Sequence, residues 1–349
     1  MQSFQITPNE SGQRFDKYLK KLLSEAPGSF IYKMLRKKNI TLNGKKADGS
    51  ERLGIGDEVK LFLAEDTFQK FASSFRATLQ THGQEEASNT QKYPCISLDI
   101  LYEDQDILVI NKPSGMLSQK SKPQDISANE YVIGYLLDTH AITKKELATF
   151  RPSICNRLDR NTSGLLIAGK SLKGLQEMAR QLSDRSMEKY YRCLVKGLVA
   201  KPSRAEGWLK KDAKSNQVQI FVSAIDNAKY IKTEYVPVSW HGATDCNNRA
   251  KGALQQIDIL KGHKNKDIYT LLEVRLVTGR SHQIRAHLSS MGHPIVGDPK
   301  YGEKETNQWF FENFQINAQM LHAYRMKLQD GREWIAPLGD EFQKVLICN

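Results

Sequence analysis

The sequence predicts an α+β protein, with a small basic α/β domain at the N-terminus followed by a larger domain built on a mixed sheet. Three observations predict it. Apolar residues recur at helical spacing in two short stretches near the N-terminus, and a hairpin signal follows them. Beyond Ile96 strand patterns outnumber helical ones, without the regular β-α alternation of a doubly wound sheet. Finally, 349 residues are too many for one compact core and suit two or three domains.

The elements follow in order. Phe15, Tyr18, Leu19, Leu22 and Leu23 recur at i, i+3, i+4, i+7 and i+8, the apolar stripe of an amphipathic helix. Ser29 is a candidate cap for a second helix carrying Ile31, Met34 and Leu35. Ile40-Thr41-Leu42, the turn Asn43-Gly44 and the return through Lys45 and Lys46 read as a hairpin. Val59, Leu61 and Leu63 sit at strand spacing, closing a first domain over residues 1–63. Residues 64–95 read as a linker: Phe68, Phe71 and Phe75 allow a docked helical turn or two, and Thr81 to Lys92 is almost wholly polar. The larger domain spans 96–349. Ile107 to Ile110 and Leu165 to Ala168 are short buried strands, while Tyr191, Cys193 and Val195, and again Leu272, Val274 and Leu276, alternate along strands. Ser127 with Glu130 makes a capping box for a helix through Tyr135 and Leu137, and Ser171 caps another with Leu172, Leu175, Met178 and Leu182.

Composition narrows the function. Lys and Arg number 51 against 39 Asp and Glu, a net charge of +12, which points to an anionic partner with nucleic acid foremost. Between Gly12 and Leu63 there are 12 basic and 6 acidic residues, so half the net charge lies in this short stretch. Lys33, Arg36, Lys37 and Lys38 crowd the end of the second helix; they suit either the helix dipole or a phosphate-binding patch, and Arg14 belongs with the same basic surface. No apolar run approaches the ~20 residues of a membrane span, and the N-terminus lacks a signal-peptide core. The five cysteines, Cys95, Cys155, Cys193, Cys246 and Cys348, are scattered with no Cys-x-x-Cys pair. They read as reduced thiols of a cytoplasmic protein rather than as a disulfide or zinc framework.

Several motifs tempt. Gly164 to Ser171 satisfies the phosphate-loop pattern literally, but the four residues between the glycines are themselves an apolar strand, so their amides cannot cradle phosphate. His282, His287 and His293 cluster in sequence, yet His282 and His287 are five apart and Gln283 stands where a metalloprotease needs Glu. They read as structural or RNA-contacting histidines, and no metal site is expected. Asp159 lies between Arg157 and Arg160, just before a buried strand. It is either one half of a surface ion pair or a carboxylate held ionised as nucleophile or base. A second polar block, Thr278 to His287, follows a strand and opens a helix, so Arg280, His282 and Arg285 are candidate anion clamps.

Residues 151–170, RPSICNRLDRNTSGLLIAGK, resemble the signature of RluA-type pseudouridine synthases, the RluC/RluD-like group. LYEDQDILVINKPSGMLS, EKYYRCLVKG and VRLVTGRSHQIRAHLSSMGHPIVGDPKYG resemble three further blocks of that family. The N-terminal domain is similar to the small RNA-binding domain shared with ribosomal small-subunit protein four. One departure is Asn156, where many family members have histidine. The resemblance implies a mixed, mainly antiparallel catalytic sheet and isomerisation of uridine to pseudouridine in RNA, without a cofactor. It implies Asp159 as the catalytic carboxylate, Arg157 as the residue filling the space a flipped base leaves, Tyr191 packing against that base, and Arg285 paired with Asp159. Ribosomal RNA of the large subunit is the expected substrate, with transfer RNA or a non-catalytic role in ribosome assembly as alternatives. A monomer without membrane or nucleotide partners is the simplest expectation.

Overall fold

The structure, a computed structural model, describes residues 1–73, 92–212, 217–242, 258–259 and 268–346. Phe75, nearly all of the polar stretch read as a linker, Cys246 and Cys348 lie outside the described residues. The chain divides into two compact units. The first comprises Met1–Val109, Gln119–Asn156 and Ile167–Arg180; the second comprises Ile110–Ser118, Arg157–Leu166 and Gln181–Asn349. This division differs from the one read from composition.

In the first unit, strands β1 (Gln2–Gln5), β2 (Ile40–Leu42), β3 (Lys45–Lys46) and β4 (Glu58–Leu61) form an antiparallel sheet in the order β1-β4-β2-β3. The hairpin turns as its Asn-Gly pair requires, with φ of 51° at Asn43 and 72° at Gly44. Helix Phe15–Leu22 buries Phe15, Tyr18, Leu19 and Leu22 against this sheet's core. The second helix runs Gly28–Arg36, so Ser29 is not its cap. Pro27 takes that place: its φ is already fixed, and its carbonyl accepts the amides of Phe30 and Ile31. Helix Glu65–Phe71 buries Phe68 in the same core and sets Phe71 against Phe30, ring centres 4.6 Å apart.

A later helix, Lys144–Thr149, explains why compactness cuts the chain differently. The Thr143–Glu146 capping box starts it, and Ala148 packs against the N-terminal core. The Thr149 hydroxyl donates to the buried Glu10 carboxylate, and Asn9 donates to Glu146 at 3.2 Å. The unit also holds β5 (Ile100–Glu103), the first half of β6 (Ile107–Lys112), β7 (Ser153–Ile154) and the end of β8 (Ser163–Gly169). Helix Ala128–Asp138 carries the expected capping box, and Ser171 accepts the Gly174 amide at 3.0 Å to start helix Leu172–Ser183. Asn156 accepts the Ile167 amide at 2.8 Å, so it serves here as a backbone anchor.

In the second unit β9 (Glu188–Lys196), β10 (Ser203–Lys211), β11 (Val218–Phe221), β12 (Lys229–Gly242), β13 (Asp258–Ile259), β14 (Ile268–Leu276), β15 (Leu321–Lys327) and β16 (Glu333–Ile335) join the start of β8. The order is β11-β10-β12-β14-β9-β15-β8, with β13 on β12 and β16 on β15. Pairing is antiparallel except for β15 with β8 and β12 with β13, so the sheet is mixed and mainly antiparallel as expected. β12 bulges between Pro237 and Ser239, where proline has no amide to donate. Gly164 has φ +101°, and a β-carbon there would lie 2.3 Å from the Ala323 carbonyl oxygen, so only glycine lets β8 and β15 approach. The apolar residues between Gly164 and Gly169 are buried strand, and the phosphate-loop likeness is confined to the letters.

Candidate active site

The site is built in the second unit on two loops. One follows β6 and contains Pro113 to Met116; the other, Arg157 to Thr162, precedes β8. They are joined reciprocally. The Gly115 amide donates to the Arg160 carbonyl at 3.0 Å, and Arg160 Nε donates to the Gly115 carbonyl at 3.0 Å. Ser114 donates to the Asn161 carbonyl at 3.0 Å, and Ser118 both donates to the Leu158 carbonyl (2.8 Å) and accepts the Leu158 amide (3.0 Å). Lys112, fully buried, donates to the carbonyls of Pro113 (2.8 Å), Met116 (2.9 Å) and Arg160 (3.0 Å). Three carbonyls match the three N–H bonds of an ammonium. Burial draws its pKa down to about 7, against the upward pull of Asp159.

Asp159 projects from the second loop, its side chain 28% exposed. A turn hydrogen bond from the Thr162 amide to the Asp159 carbonyl, 3.0 Å, fixes its backbone. Helix Gln283–Ser290 brings up Arg285, whose Nη1 donates to Asp159 Oδ2 at 2.7 Å. The other edge of the guanidinium grips Asp298: Nε to Oδ2 at 2.7 Å and Nη2 to Oδ1 at 2.8 Å. Asp298 is fully buried and also accepts the amides of Lys300 (2.9 Å) and Tyr301 (3.1 Å). Burial alone would lower the Arg285 pKa, but the hydrogen bonds and charges of Asp298 and Asp159 outweigh it and the net shift is upward. The Arg285 guanidinium lies 5.3 Å from the centre of the Tyr301 ring.

His282 enters the helix in the left-handed conformation, φ 54°. Its Nδ1 lies 3.0 Å from the Tyr301 hydroxyl and its Nε2 3.9 Å from Asp159 Oδ2. Among the described residues no hydrogen bond is directed to Asp159 Oδ1, so Arg285 anchors one carboxylate oxygen only. Tyr191, on β9, is buried; burial and the nearby Asp159 charge raise its phenol pKa. Arg157 and Arg280 are exposed. Gln283 shapes the turn before the helix by accepting from Thr278 (2.9 Å) and the Arg280 amide (3.2 Å). The three histidines go to separate partners: His287 meets Thr233 Oγ1 at 3.0 Å and His293 the Lys196 carbonyl at 3.1 Å. Among the described residues no group of three or more His, Cys, Asp or Glu could hold a metal ion.

The structure therefore gathers Asp159, Arg285 and His282, with Tyr191 within reach of the aspartate's charge. Lys33, Arg36, Lys37 and Lys38 are exposed at the end of their helix in the first unit, and Arg14, half exposed, bonds Asp16 at 3.1 Å. Sequence reasoning missed Lys112, Asp298 and Tyr301 as parts of the site. Their one signal was membership of two of the family-like blocks, Lys112 in LYEDQDILVINKPSGMLS and Asp298 and Tyr301 in VRLVTGRSHQIRAHLSSMGHPIVGDPKYG, since nothing in a linear pattern shows which charges become buried.

Residues 106–290 match the RNA pseudouridylate synthase family. The chain belongs to that family. The ribosomal large subunit pseudouridine synthase C of Escherichia coli (strain K12) is 30% identical over 328 residues, covering 92% of this chain and 86% of the relative. An uncharacterized RNA pseudouridine synthase of Aquifex aeolicus is 29% identical over 300 residues, 84% of this chain and 78% of the relative. Among solved structures, Human RNA Pseudouridylate Synthase Domain Containing 4 superposes with a TM-score of 0.52 at 16% identity, covering 75% of this chain and 96% of that one, which shows the shared fold. The protein is an RNA pseudouridine synthase, an enzyme acting on RNA, and no helix among its described residues is long and apolar enough to cross a membrane.

Proposed function

We propose that this pseudouridine synthase converts specific uridines of large-subunit ribosomal RNA to pseudouridine, with Asp159 as the catalytic carboxylate. The observation that carries the assignment of Asp159 is its asymmetric environment: Arg285 holds Oδ2 at 2.7 Å, while the side chain stays 28% exposed and no hydrogen bond among the described residues is directed to Oδ1. In the reaction the glycosidic C–N bond breaks, the uracil turns, and a C–C bond to the same ribose forms. A proton leaves the carbon and one returns to nitrogen, so no electrons or outside atoms are exchanged and no cofactor is required.

The target nucleotide leaves its stack to reach the aspartate. Arg157, exposed two residues before Asp159, fills the vacated space. Tyr191 packs against the extruded base, its buried phenol staying un-ionised. Residues 1–63 dock RNA through phosphates, with Arg14, Lys33, Arg36, Lys37 and Lys38 as the contacts, and Arg280 adds a contact beside the site. The substrate assignment is supported by the E. coli relative's name together with coverage of most of both chains. The enzyme works in the cytoplasm as a monomer.

The test is a map of pseudouridine in RNA from cells lacking the protein, rescued with wild type or Asp159→Asn. Discrete large-subunit sites should vanish and return only with wild type. Loss of sites in transfer RNA instead would overturn the substrate, and restoration by Asp159→Asn would overturn the catalytic role. Purified Asp159→Asn should lose turnover and keep RNA affinity.

A further inference from the structure

The Asp159 carboxylate has a second neighbour on its anchored side, and a chain of hydrogen bonds determines what that neighbour can offer. The Val218 amide, on β11, donates to the Tyr301 hydroxyl oxygen at 2.9 Å. An amide N–H cannot accept, so the Tyr301 proton is not used there and is free for His282 Nδ1, 3.0 Å away. An Nδ1 that accepts leaves the ring proton on Nε2, and Nε2 is the atom facing Asp159 Oδ2 at 3.9 Å. The two ends agree: a hydroxyl donor at Nδ1 and a carboxylate opposite Nε2 both select the Nε2–H tautomer.

We infer that His282 is a positioning residue that presents its Nε2–H to the anchored oxygen of Asp159, and that Tyr301, held by the Val218 amide, sets this tautomer. The inference rests on Asp159 being the catalytic carboxylate. Burial lowers the imidazole's pKa most, Asp159 and Asp298 pull it up, and Arg285 and Lys300 push it down; the net shift is downward, in the direction of the neutral ring that the hydrogen bonds select. His282 and Arg285 thus approach the same oxygen, one as a neutral dipole at 3.9 Å and one as a cation at 2.7 Å.

Tyr301 is also the ring beneath Arg285, and its amide bonds Asp298 at 3.1 Å. One residue therefore braces both groups that face Oδ2.

Two-bond 1H–15N correlation spectra of histidine-labelled protein, free of RNA at neutral pH, read the tautomer directly. His282 should give the Nε2–H pattern in wild type and a mixed pattern in Tyr301→Phe. That variant should stay folded with a modest loss of stability from the stranded Val218 amide, keep KM for RNA, and lose about tenfold in kcat, in the range of changes that remove a supporting hydrogen bond. His282→Gln, which retains an amide donor, should keep more activity than His282→Leu. An Nδ1–H or doubly protonated ring in the wild type would overturn the inference, as would a Tyr301→Phe enzyme with unchanged tautomer and kcat. Because the spectra need no substrate, they can fail while Asp159→Asn still abolishes turnover, which separates this inference from the functional reading beneath it.

Discussion

Asp298→Asn is the substitution whose cost the structure specifies most closely. The carboxylate is fully buried and receives four N–H bonds: Arg285 Nε at 2.7 Å, Arg285 Nη2 at 2.8 Å, the Lys300 amide at 2.9 Å and the Tyr301 amide at 3.1 Å. Asparagine keeps the shape but replaces one oxygen by an NH2 group, which turns donors toward donors. Each buried donor left without an acceptor costs roughly 1–3 kcal/mol, and breaking a buried ion pair from one side costs about 3–5 kcal/mol. These describe the same atoms and do not add, so the expected loss is about 3–5 kcal/mol. The catalytic effect has a separate cause. Freed from Asp298, the planar guanidinium can swing to grip both oxygens of Asp159, and Oδ1, which Arg285 does not bond in the wild type, is then covered. Urea unfolding and single-turnover kinetics on a defined RNA fragment read the two effects, with kcat expected to fall at least about a hundredfold, since the ground state gains what the transition state does not. If Asp298→Asn unfolds at the wild-type midpoint and keeps kcat within about threefold, the two-edged grip does not organise the site. A double-mutant cycle with Arg285→Lys localises the effect, because Asp298→Asn should cost little more once the fork is gone.

Two further perturbations test other parts of the structure. His322, fully buried, meets Ser163 at 2.8 Å, and burial draws its pKa from 6.5 down to about 4. The unfolded chain therefore takes up a proton before the folded one does, so this contribution to stability is complete above about pH 6.5 and is lost as pH falls toward 4. By about pH 4.5 the loss from this group reaches about 2–3 kcal/mol. His322→Gln should flatten the decline measured by urea unfolding between about pH 7 and about pH 4.5 by that amount, and an unchanged slope would contradict the assignment. Replacing Lys33, Arg36, Lys37 and Lys38 by alanine should weaken RNA binding. The slope of log affinity against log salt should fall by ~0.7 for each single-strand phosphate that these side chains no longer neutralise. A slope equal to wild type would remove those residues from the interface.

Much of the fold was legible because local chemistry decided it. The Asn43-Gly44 hairpin, the Ser127–Glu130 capping box and the Ser171 cap appear where residue type and spacing put them. Ser29 failed as a cap because Pro27, two residues earlier, already fixes the entry to the helix. The helix Lys144–Thr149 and its grip on Glu10 were illegible, since a bond across 139 positions leaves no local trace. In the site, the Asp159–Arg285 pair came from resemblance to a family, and the geometry supplies its physical content: a 2.7 Å bond to one oxygen only. Asp298 and Lys112 were invisible as site residues. A charged residue in a polar loop reads as solvated, and only the fold shows that Asp298 meets four donors and Lys112 three acceptors.

The reciprocal bonding of the two site loops has a consequence for how the enzyme breathes. Gly115 and Arg160 each donate to the other, Ser118 both gives to and takes from Leu158, and Lys112 spans both segments. Neither loop can lift alone without leaving the Lys112 ammonium short of an acceptor. In hydrogen–deuterium exchange the amides of Gly115 and Leu158, far apart along the chain, should therefore report one shared opening and slow down together, a cooperative unit defined by a lysine and not by any helix or strand.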